Sequence, residues 1–256
     1  MDVGVVLPAY RPDPDRLVAY AAELCERVDP AAVRVELDAA DAETRERLRA
    51  LPDRVVVADA DRRRGKGAAI TAGFEALDTD ILVFADADGS TPVESLAGVI
   101  APVRRGEAAL AVGSRRHPDA TVADHQTFAR RLLGDGFAWV ARRVLDVALY
   151  DYQCGAKALT AGAWGNARAH LREPGFAWDV ELVAVVDALG KRVVEVPVEW
   201  EDQPNSTVAP VTDTLRIARG LLVARHRARH LRGDRLHRAI GGDDPALVEQ
   251  GDTVEE

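Results

Sequence analysis

Short apolar runs alternate with amphipathic segments along the first half of the chain. The runs predict strands at residues 3–7, 33–37, 55–58, 81–84 and 108–112, and the segments between them predict helices at 15–28, 41–51, 65–77 and from 91 onwards. Strands and helices that alternate in this way are typical of a parallel, doubly wound α/β sheet with right-handed connections. We therefore predict such a sheet for this half of the chain.

The pattern changes in the second half, where predicted helices outnumber strands. A polar loop is predicted at 117–125 and one strand at 192–200. Helices are predicted at 127–149 and 213–236, with a short helix that ends at 164 and another that begins at 176. Thr91 is the predicted N-cap of the helix after the fourth strand, with Pro92 as its first residue. The tail at 241–256 is acidic and rich in glycine, which predicts disorder.

The composition is that of a globular protein with enough chain for a substantial core. The 256 residues are 47% hydrophobic and carry a formal net charge of -9, which argues against general nucleic-acid binding. The two cysteines, Cys25 and Cys154, are too few for a disulfide framework and indicate a reducing compartment. The first strand begins at once and no apolar stretch approaches the ~20 residues that span a bilayer. We expect a cytoplasmic protein without a signal peptide, soluble or peripheral on the cytoplasmic membrane face.

Two aspartates, Asp86 and Asp88, follow the fourth predicted strand with one alanine between them. The carboxyl ends of parallel strands form the crevice where open α/β sheets bind ligands. Two carboxylates so close together repel each other unless a cation lies between them. Oxygen ligands suit Mg²⁺ or Mn²⁺, which usually also binds substrate phosphates. The alternative is a surface turn, because aspartate and glycine are common turn residues.

Two loops at predicted strand ends suggest nucleotide binding. Lys66 lies between Gly65 and Gly67 at the start of a predicted helix, where backbone amides and a lysine make an anion site. The full P-loop pattern is absent, so an ATPase is not favoured, and a solvated basic turn is the alternative. Prolines 8 and 12 are predicted to end the first strand and to hold Tyr10 where it stacks on a base, or in a plain turn.

The last predicted helix combines an apolar line with many arginines. The apolar residues are Ile217, Leu221, Ala224, Ala228 and Leu231, and the arginines are Arg216, Arg219, Arg225, Arg227, Arg229, Arg232, Arg235 and Arg238. A basic amphipathic helix in an acidic protein predicts a surface for anionic lipid headgroups. A core-packed helix with a solvated face is the alternative. His226, His230 and His237 are predicted to lie on the surface.

Several segments resemble, in order and spacing, the GT-A glycosyltransferases of family 2, and most closely the dolichyl-phosphate β-glucosyltransferases and mannosyltransferases. The matching segments are 6–10, 65–67, 86–89, 113–115, 151–157, 178–182 and 196–200. The resemblance extends over about residues 3–229. It implies a Rossmann-like, doubly wound, mostly parallel sheet in one domain at 1–240, with a nucleotide-sugar half at 1–113 and an acceptor half at 114–240.

The resemblance also implies a role for each matching residue. Pro8, Tyr10 and Asp38 would contact the nucleoside, Lys66 and Gly67 would lie near the nucleotide, Asp86 and Asp88 would hold the metal, Arg115 and Arg130 would face the acceptor phosphate, Gln153 would bind substrate, and Asp179 and Glu181 would line the sugar pocket. A lipid phosphate needs no strong base, whereas a hydroxyl acceptor does. We favour Asp179 over Glu181 as that base, because the two cannot point the same way on a helix.

Some positions depart from the family pattern. The loop at 38–41 lacks its usual Asp-Asp-Gly-Ser sequence, Ser90 replaces a glutamine or histidine, Gly134 replaces a serine, and the loop at 206–208 lacks a lysine. We predict a metal-dependent, inverting transferase that moves a sugar from a UDP-glucose-like or GDP-mannose-like donor to a polyprenyl (dolichyl) phosphate. A soluble acceptor, such as a phosphoglycerate or a sugar, is the alternative. A sugar-phosphate nucleotidyltransferase would need a glycine-rich loop after the first strand, and a non-catalytic relative would not need Asp86 and Asp88.

Overall fold

The computed structural model describes residues 1–123, 128–201, 210–240 and 245–250, without the side chains at 123–135, 210–218 and 238–240. The strands are β1 (Val3–Tyr10), β2 (Ala32–Asp38), β3 (Val55–Ala60), β4 (Ile81–Ala85), β5 (Leu110–Ser114), β6 (Thr121–Ala123), β7 (Ala156–Thr160), β8 (Val193–Pro197) and β9 (Glu199–Glu201). The helices are α1 (Pro14–Arg27), α2 (Ala42–Arg47), α3 (Lys66–Glu75), α4 (Val93–Arg104), α5 (Phe128–Val144), α6 (Ala161–Ala167), α7 (Trp178–Ala188), α8 (Pro210–Leu231) and α9 (Arg235–Ile240). Short 3-10 helices lie at Leu48–Ala50, Arg168–His170 and Leu247–Glu249.

The main sheet has seven strands in the order β3-β2-β1-β4-β7-β5-β8. All neighbouring pairs are parallel except those of β7, which runs antiparallel between β4 and β5. The predicted mostly parallel α/β sheet is therefore confirmed. Strand β7 was not predicted, because its five residues carry a lysine and form no distinct apolar run. A small parallel pair, β6 and β9, lies outside the main sheet.

Apolar side chains cover both faces of the sheet. On one face, α1 and α4 pack with residues such as Leu24 and Val99 against β1, β2 and β4. On the other, α3, α5, α7 and α8 surround an aromatic group that includes Phe84 and Trp178, whose ring centroids are 5.7 Å apart. Strands that are buried on both faces read as continuous apolar runs, which is why the sequence located them well.

Several predicted boundaries are wrong. Pro8 lies inside β1, beyond Val6 where the pairing of β1 with β4 ends, so its missing N–H is tolerated there. Pro92 occupies the N-cap position of α4, and Thr91 lies outside the helix, where its carbonyl oxygen accepts from the Tyr20 hydroxyl at 2.9 Å. The predicted strand at 192–200 is divided into β8 and β9.

Part of the predicted disordered tail packs against the protein. Ala246 and Leu247 are buried, and the Leu247 amide donates to the Leu171 carbonyl oxygen at 2.8 Å. For residues 245–250 the prediction of disorder is wrong, because Leu247 packs into the aromatic side of the core. The rest of the tail lies outside the described residues.

Helix α8 is packed on the core along its described apolar line. Leu221, Ala224 and Ala228 are buried, mainly against α7, as expected for the core-packed alternative. Four arginines on this helix and the turn after it, Arg225, Arg227, Arg229 and Arg232, contact acceptors elsewhere in the protein. Of the histidines predicted to lie on the surface, His230 is exposed. His226 and His237 are partly buried, because their rings meet with the Nδ1 atoms 2.8 Å apart. Among the described helices, none has the length and apolar character to cross a membrane.

Candidate active site

The carboxyl ends of β1, β2, β4 and β5 lie at one edge of the sheet, which is the position of ligand sites in open α/β folds. Tyr10, Asp38, Asp86 and Arg115 lie at these strand ends or directly after them. Because β7 runs the other way, it begins at this edge, and its first residues join the same site. The order of the strands therefore gathers residues from across the chain.

Asp86 and Asp88 form the centre of this edge. The Asp86 amide donates to the Gly155 carbonyl oxygen at 2.8 Å, and its carboxylate lies directly over Gly155. A Cβ at position 155 would be 1.8 Å from Asp86 Oδ2, so only glycine leaves room for this carboxylate. Asp88 is exposed, and its Oδ1 accepts from the Ser90 amide at 2.9 Å.

The electrostatics of the two aspartates differ. Removal from bulk water opposes the ionisation of Asp86, but the Lys66 ammonium group outweighs this effect and lowers the pKa of Asp86. Partial desolvation, followed by the charge of Asp86, raises the pKa of Asp88 above its ordinary value. A bound cation would relieve the repulsion between them, so these two oxygen donors fit a divalent ion. Among the described residues no third His, Cys, Asp or Glu completes a cluster with them.

Lys66 pairs with the first of these two aspartates. Its Nζ lies 2.8 Å from Asp86 Oδ1 and 3.4 Å from Asp179 Oδ2. Gly67 is required by packing, because a Cβ there would lie 2.5 Å from both the Glu173 carbonyl oxygen and Trp178 Cβ. The amide of Ala68 already donates to a protein carbonyl oxygen. In this loop the predicted anion-binding group is therefore the Lys66 ammonium group and not the Ala68 amide.

Asp179 is buried and contacts two lysines. Lys157 Nζ lies 2.6 Å from Asp179 Oδ1 and also donates to the Cys154 carbonyl oxygen at 2.9 Å. Lys157 is fully buried, and sequence reasoning did not select it as a site residue. Its signal was present, because it lies in a family-like segment and is one of only three lysines in the chain. Burial raises the pKa of the Cys154 thiol to about 11, so that thiol stays protonated.

Asp38 is at the predicted edge but is bound by the loop before α3. Its Oδ2 accepts from the amides of Arg64 and Gly65 at 2.8 and 3.1 Å, and its Oδ1 accepts from Arg64 Nε at 2.7 Å. Arg64 also pairs with buried Glu36 at 2.9 Å. Asp38 therefore fixes the loop that carries Lys66. Neither Glu36 nor Arg64 was selected from the sequence.

Tyr10, at the end of β1, lies beside two arginines. The Arg63 guanidinium carbon lies 4.2 Å from the centroid of the Tyr10 ring, and that of Arg11 lies 5.3 Å from it. Pro8, two residues earlier, is partly buried. A planar base would stack either on the Arg63 guanidinium or, in its place, on the Tyr10 ring.

The part of the edge that was predicted to face the acceptor is built around Arg115 and Asp151. Arg115 Nε and Nη2 donate to the two Asp151 oxygens at 2.7 and 3.0 Å, and the Gln153 amide donates to Asp151 Oδ1 at 3.0 Å. Burial opposes ionisation of Asp151, yet the Arg115 guanidinium lowers the pKa of its carboxyl well below the usual range. The side chain of Arg130 lies outside those that the structure describes.

Glu181 is not part of this edge. Its Oε2 accepts from the amides of Arg172 and Glu173 at 3.0 and 2.8 Å, and its Oε1 pairs with Arg227 of α8. These contacts fix the loop before α7 and the position of α8. As the helical spacing predicted, Asp179 and Glu181 point in different directions.

Comparison with known proteins identifies the family. The sequence pattern described as Glycosyl transferase family 2 matches residues 5–132, which is half of the chain. The chain belongs to glycosyl transferase family 2. This confirms the family that the sequence motifs suggested.

The curated relatives of this family 2 glycosyltransferase are longer proteins. Glycosyltransferase AglD of Haloferax volcanii is 35% identical over 230 residues, which are 87% of this chain and 36% of AglD. The dolichyl-phosphate beta-glucosyltransferase of Mus musculus is 31% identical over 180 residues, which are 68% of this chain and 56% of that enzyme. The chain thus spans about a third of the first and just over half of the second.

A solved structure with the same fold is glucosyl-3-phosphoglycerate synthase from Mycobacterium tuberculosis, in complex with Mn²⁺, UDP-glucose and phosphoglyceric acid. The two chains superpose with a TM-score of 0.66, over 88% of this chain and 79% of the synthase, at 18% identity. At this identity the likeness establishes the fold alone, and it confirms the predicted GT-A architecture.

Proposed function

We propose that this family 2 glycosyltransferase moves a sugar, with inversion, from a nucleotide-sugar donor to a polyprenyl (dolichyl) phosphate. The observation that carries the proposal is the grouping of Asp86, Asp88 and Lys66 at the carboxyl edge of the sheet. A nucleoside diphosphate is the leaving group that needs such an arrangement, because negative charge accumulates on it as the sugar departs. The names of the mouse and archaeal relatives support a glycosyl transfer.

On the donor side, Asp86 and Asp88 are the residues that would hold Mg²⁺ or Mn²⁺. When bound, the ion supplies Lewis-acid stabilisation of the departing diphosphate. Lys66 places a second positive charge beside the same position. Tyr10, with Arg63 over its ring, offers the surface for the base of a UDP- or GDP-sugar. This family 2 chain would thus neutralise charge with the loops at 65–67 and 86–88 and bind the base at the end of β1.

On the acceptor side, we assign phosphate binding to Arg115, with Arg130 as a proposed second contact. A lipid phosphate has a second pKa near ~6 and is largely ionised at neutral pH, so it attacks without a strong general base. Both oxygens of Asp179 are within reach of lysine ammonium groups, which favours a positioning role for this residue over the predicted base. That arrangement supports a phosphate acceptor.

A soluble acceptor is the second candidate. The M. tuberculosis synthase with this fold was solved with phosphoglyceric acid, which also presents a phosphate group. Arg115 is suited to a phosphate on either molecule through the Nη hydrogens that do not donate to Asp151, because guanidinium groups form charge-assisted hydrogen bonds with phosphate oxygens. The nucleotidyltransferase alternative ranks below both, since the first strand is followed by Pro8 to Arg11 and not by a glycine-rich loop.

The test is an acceptor and donor screen of the purified chain with Mn²⁺. UDP- and GDP-sugars are incubated with dolichyl phosphate, with 3-phosphoglycerate, or with neither, and the product is followed by mass spectrometry. We expect transfer to dolichyl phosphate, and we expect Asp88→Ala to remove most of it. Transfer to phosphoglycerate alone would favour the soluble alternative. If no donor reacts and Asp88→Ala binds UDP and Mn²⁺ as wild type does, the proposal is wrong.

A further inference from the structure

Lys66 lies between two carboxylates that belong to different parts of the site. Its Nζ is 2.8 Å from Asp86 Oδ1, at the end of β4, and 3.4 Å from Asp179 Oδ2, in the first turn of α7. The side chain is largely buried, and its Nζ lies 5.4 Å from the centroid of the Phe84 ring. An ammonium group in this position is within reach of either carboxylate without leaving its apolar surroundings.

Asp179 is fixed in place independently of Lys66. Its other oxygen is 2.6 Å from Lys157 Nζ, and Lys157 is anchored to the Cys154 carbonyl oxygen at 2.9 Å. Both residues are almost completely inaccessible to solvent. The charge of buried Asp179 is already neutralised by Lys157. Asp179 therefore stays in place whether or not Lys66 contacts it.

A divalent cation at Asp86 and Asp88 changes this balance. Lys66 and the cation carry the same sign of charge and would use the same Asp86 carboxylate, so each opposes the other. Asp179 Oδ2 is the nearby acceptor to which the ammonium group can shift. A second anchor for Lys66 therefore lowers the cost of cation binding.

We propose that Asp179, held by Lys157, is a positioning residue that takes Lys66 from Asp86 when the cation binds and so sets the affinity of the cation site. The proposal rests on the cation site of the proposed function. In a protein without this second anchor, Lys66 remains on Asp86 and competes with the cation.

The experiment measures binding of Mn²⁺ alone by electron paramagnetic resonance of the free ion. The test variants are Asp179→Asn and the double variant Asp179→Asn/Lys157→Met, which removes one charge of each sign and keeps the buried group neutral. Couplings between sites commonly change affinity by 5- to 150-fold, so we expect the Mn²⁺ dissociation constant to rise at least about fivefold in both. Lys66→Met should lower it, because the competing ammonium group is gone.

The decisive comparison uses the Lys66→Met background. There Asp179→Asn should have no further effect on Mn²⁺ binding, because its role depends on Lys66. An unchanged dissociation constant in the double variant, with wild-type thermal unfolding, would overturn the proposal. An equal loss in the presence and absence of Lys66 would do the same, since it would indicate a general disturbance of the site.

Two controls distinguish a failure of this proposal from a failure of the proposed cation site. Asp187→Asn/Arg232→Gln removes another ion pair of α7, near the end of the helix away from Asp179, and it should leave Mn²⁺ affinity unchanged. Asp88→Ala tests the cation site itself. If Asp88→Ala retains Mn²⁺ binding, the proposed function has lost its metal site. If it abolishes binding while Asp179→Asn changes nothing, only the role of Asp179 is wrong.

Discussion

At the scale of single residues, the site depends on close approaches that only certain side chains allow. Asp86 lies over the backbone of Gly155, and its amide is bound to the Gly155 carbonyl oxygen. The carboxylate that we assign to the cation is therefore positioned by a residue almost 70 positions later in the sequence. Its place depends on the start of β7 as much as on the end of β4.

Gly155→Ala should displace Asp86, because the new Cβ would be 1.8 Å from Oδ2. We expect a loss of activity of about 100-fold, since a misplaced reacting or binding group costs about that much. Steady-state transfer assays and Mn²⁺ binding measure the effect. Gly165→Ala in α6, where a Cβ meets no atom within 4 Å, is the control and should be neutral or stabilise by up to ~1 kcal/mol. Equal activity in the two variants would contradict the assignment.

The ion pair of Arg115 and Asp151 should give a pH-dependent contribution to stability. The pKa of Asp151 is lowered in the folded protein, so its contribution is present above the ordinary carboxyl range and is lost as pH falls through the folded-state pKa. Asp151→Asn leaves the buried guanidinium without its partner, which costs about 3 kcal/mol at pH 7. Urea unfolding of both proteins between pH 7 and pH 3 measures the difference. The difference in free energy of unfolding between the two proteins should shrink below about pH 4. A difference that grows in acid would contradict a lowered pKa of Asp151.

The residues named from the sequence were mostly at the expected edge, because strand ends can be located from apolar runs. Their partners were not predictable, since they come from distant segments. Asp38 binds Arg64, 26 residues away, and Arg115 binds Asp151, 36 residues away. No local pattern specifies such a pairing. The sequence therefore predicted only ligand contacts for Asp38 and Arg115.

At the scale of elements, β7 shows where sequence patterns fail. Ala156–Thr160 is short, contains a lysine, and has neither a strict alternation nor a long apolar run. Its place between β4 and β5 satisfies the backbone of both neighbours, which is a tertiary effect. Lys157 lies in the same strand. Neither the strand nor this residue was predicted, because the segment has no recognisable strand pattern.

The 3-10 helix Leu247–Glu249 should contribute to stability although it lies in a tail that was predicted to be disordered. Leu247 is buried and hydrogen bonded to Leu171 through its backbone. Leu247→Ala should lower the free energy of unfolding by about 2 kcal/mol, the lower end for a buried leucine. Chemical denaturation measures this, with exposed Leu236→Ala expected within about 0.5 kcal/mol of wild type. Equal stabilities of both variants would mean that the tail does not hold the core.

At the scale of the whole molecule, many of the positive charges on the last helices are paired with acceptors within the protein. Most described arginines of this region contact protein acceptors, whereas Arg219 and Arg235 are exposed. Leu222 and Leu236, next to them in helical spacing or in sequence, have exposures of 62% and 65%. We therefore restrict the proposed contact with anionic lipid to these four exposed residues.

Flotation with vesicles of phosphatidylcholine and phosphatidylglycerol tests this surface. Each arginine near an anionic membrane contributes about 1 kcal/mol, so Arg219→Gln/Arg235→Gln should weaken binding at least about tenfold. The control Arg49→Gln/Arg104→Gln removes the same charge from exposed positions on other elements and should bind as wild type does. If both double variants float equally well, the surface is not a lipid contact.

The antiparallel strand in the middle of the sheet has a consequence for the order in which the protein folds during synthesis. Strand β5 is made about 45 residues before β7, and among the described strands its partners are β7 and β8. At roughly 5–20 residues per second, the ribosome leaves β4 and β5 with open edges for several seconds. Unpaired strand edges are sites of aggregation. The nascent chain therefore cannot close its sheet, or assemble its catalytic edge, until the lysine-bearing strand has emerged.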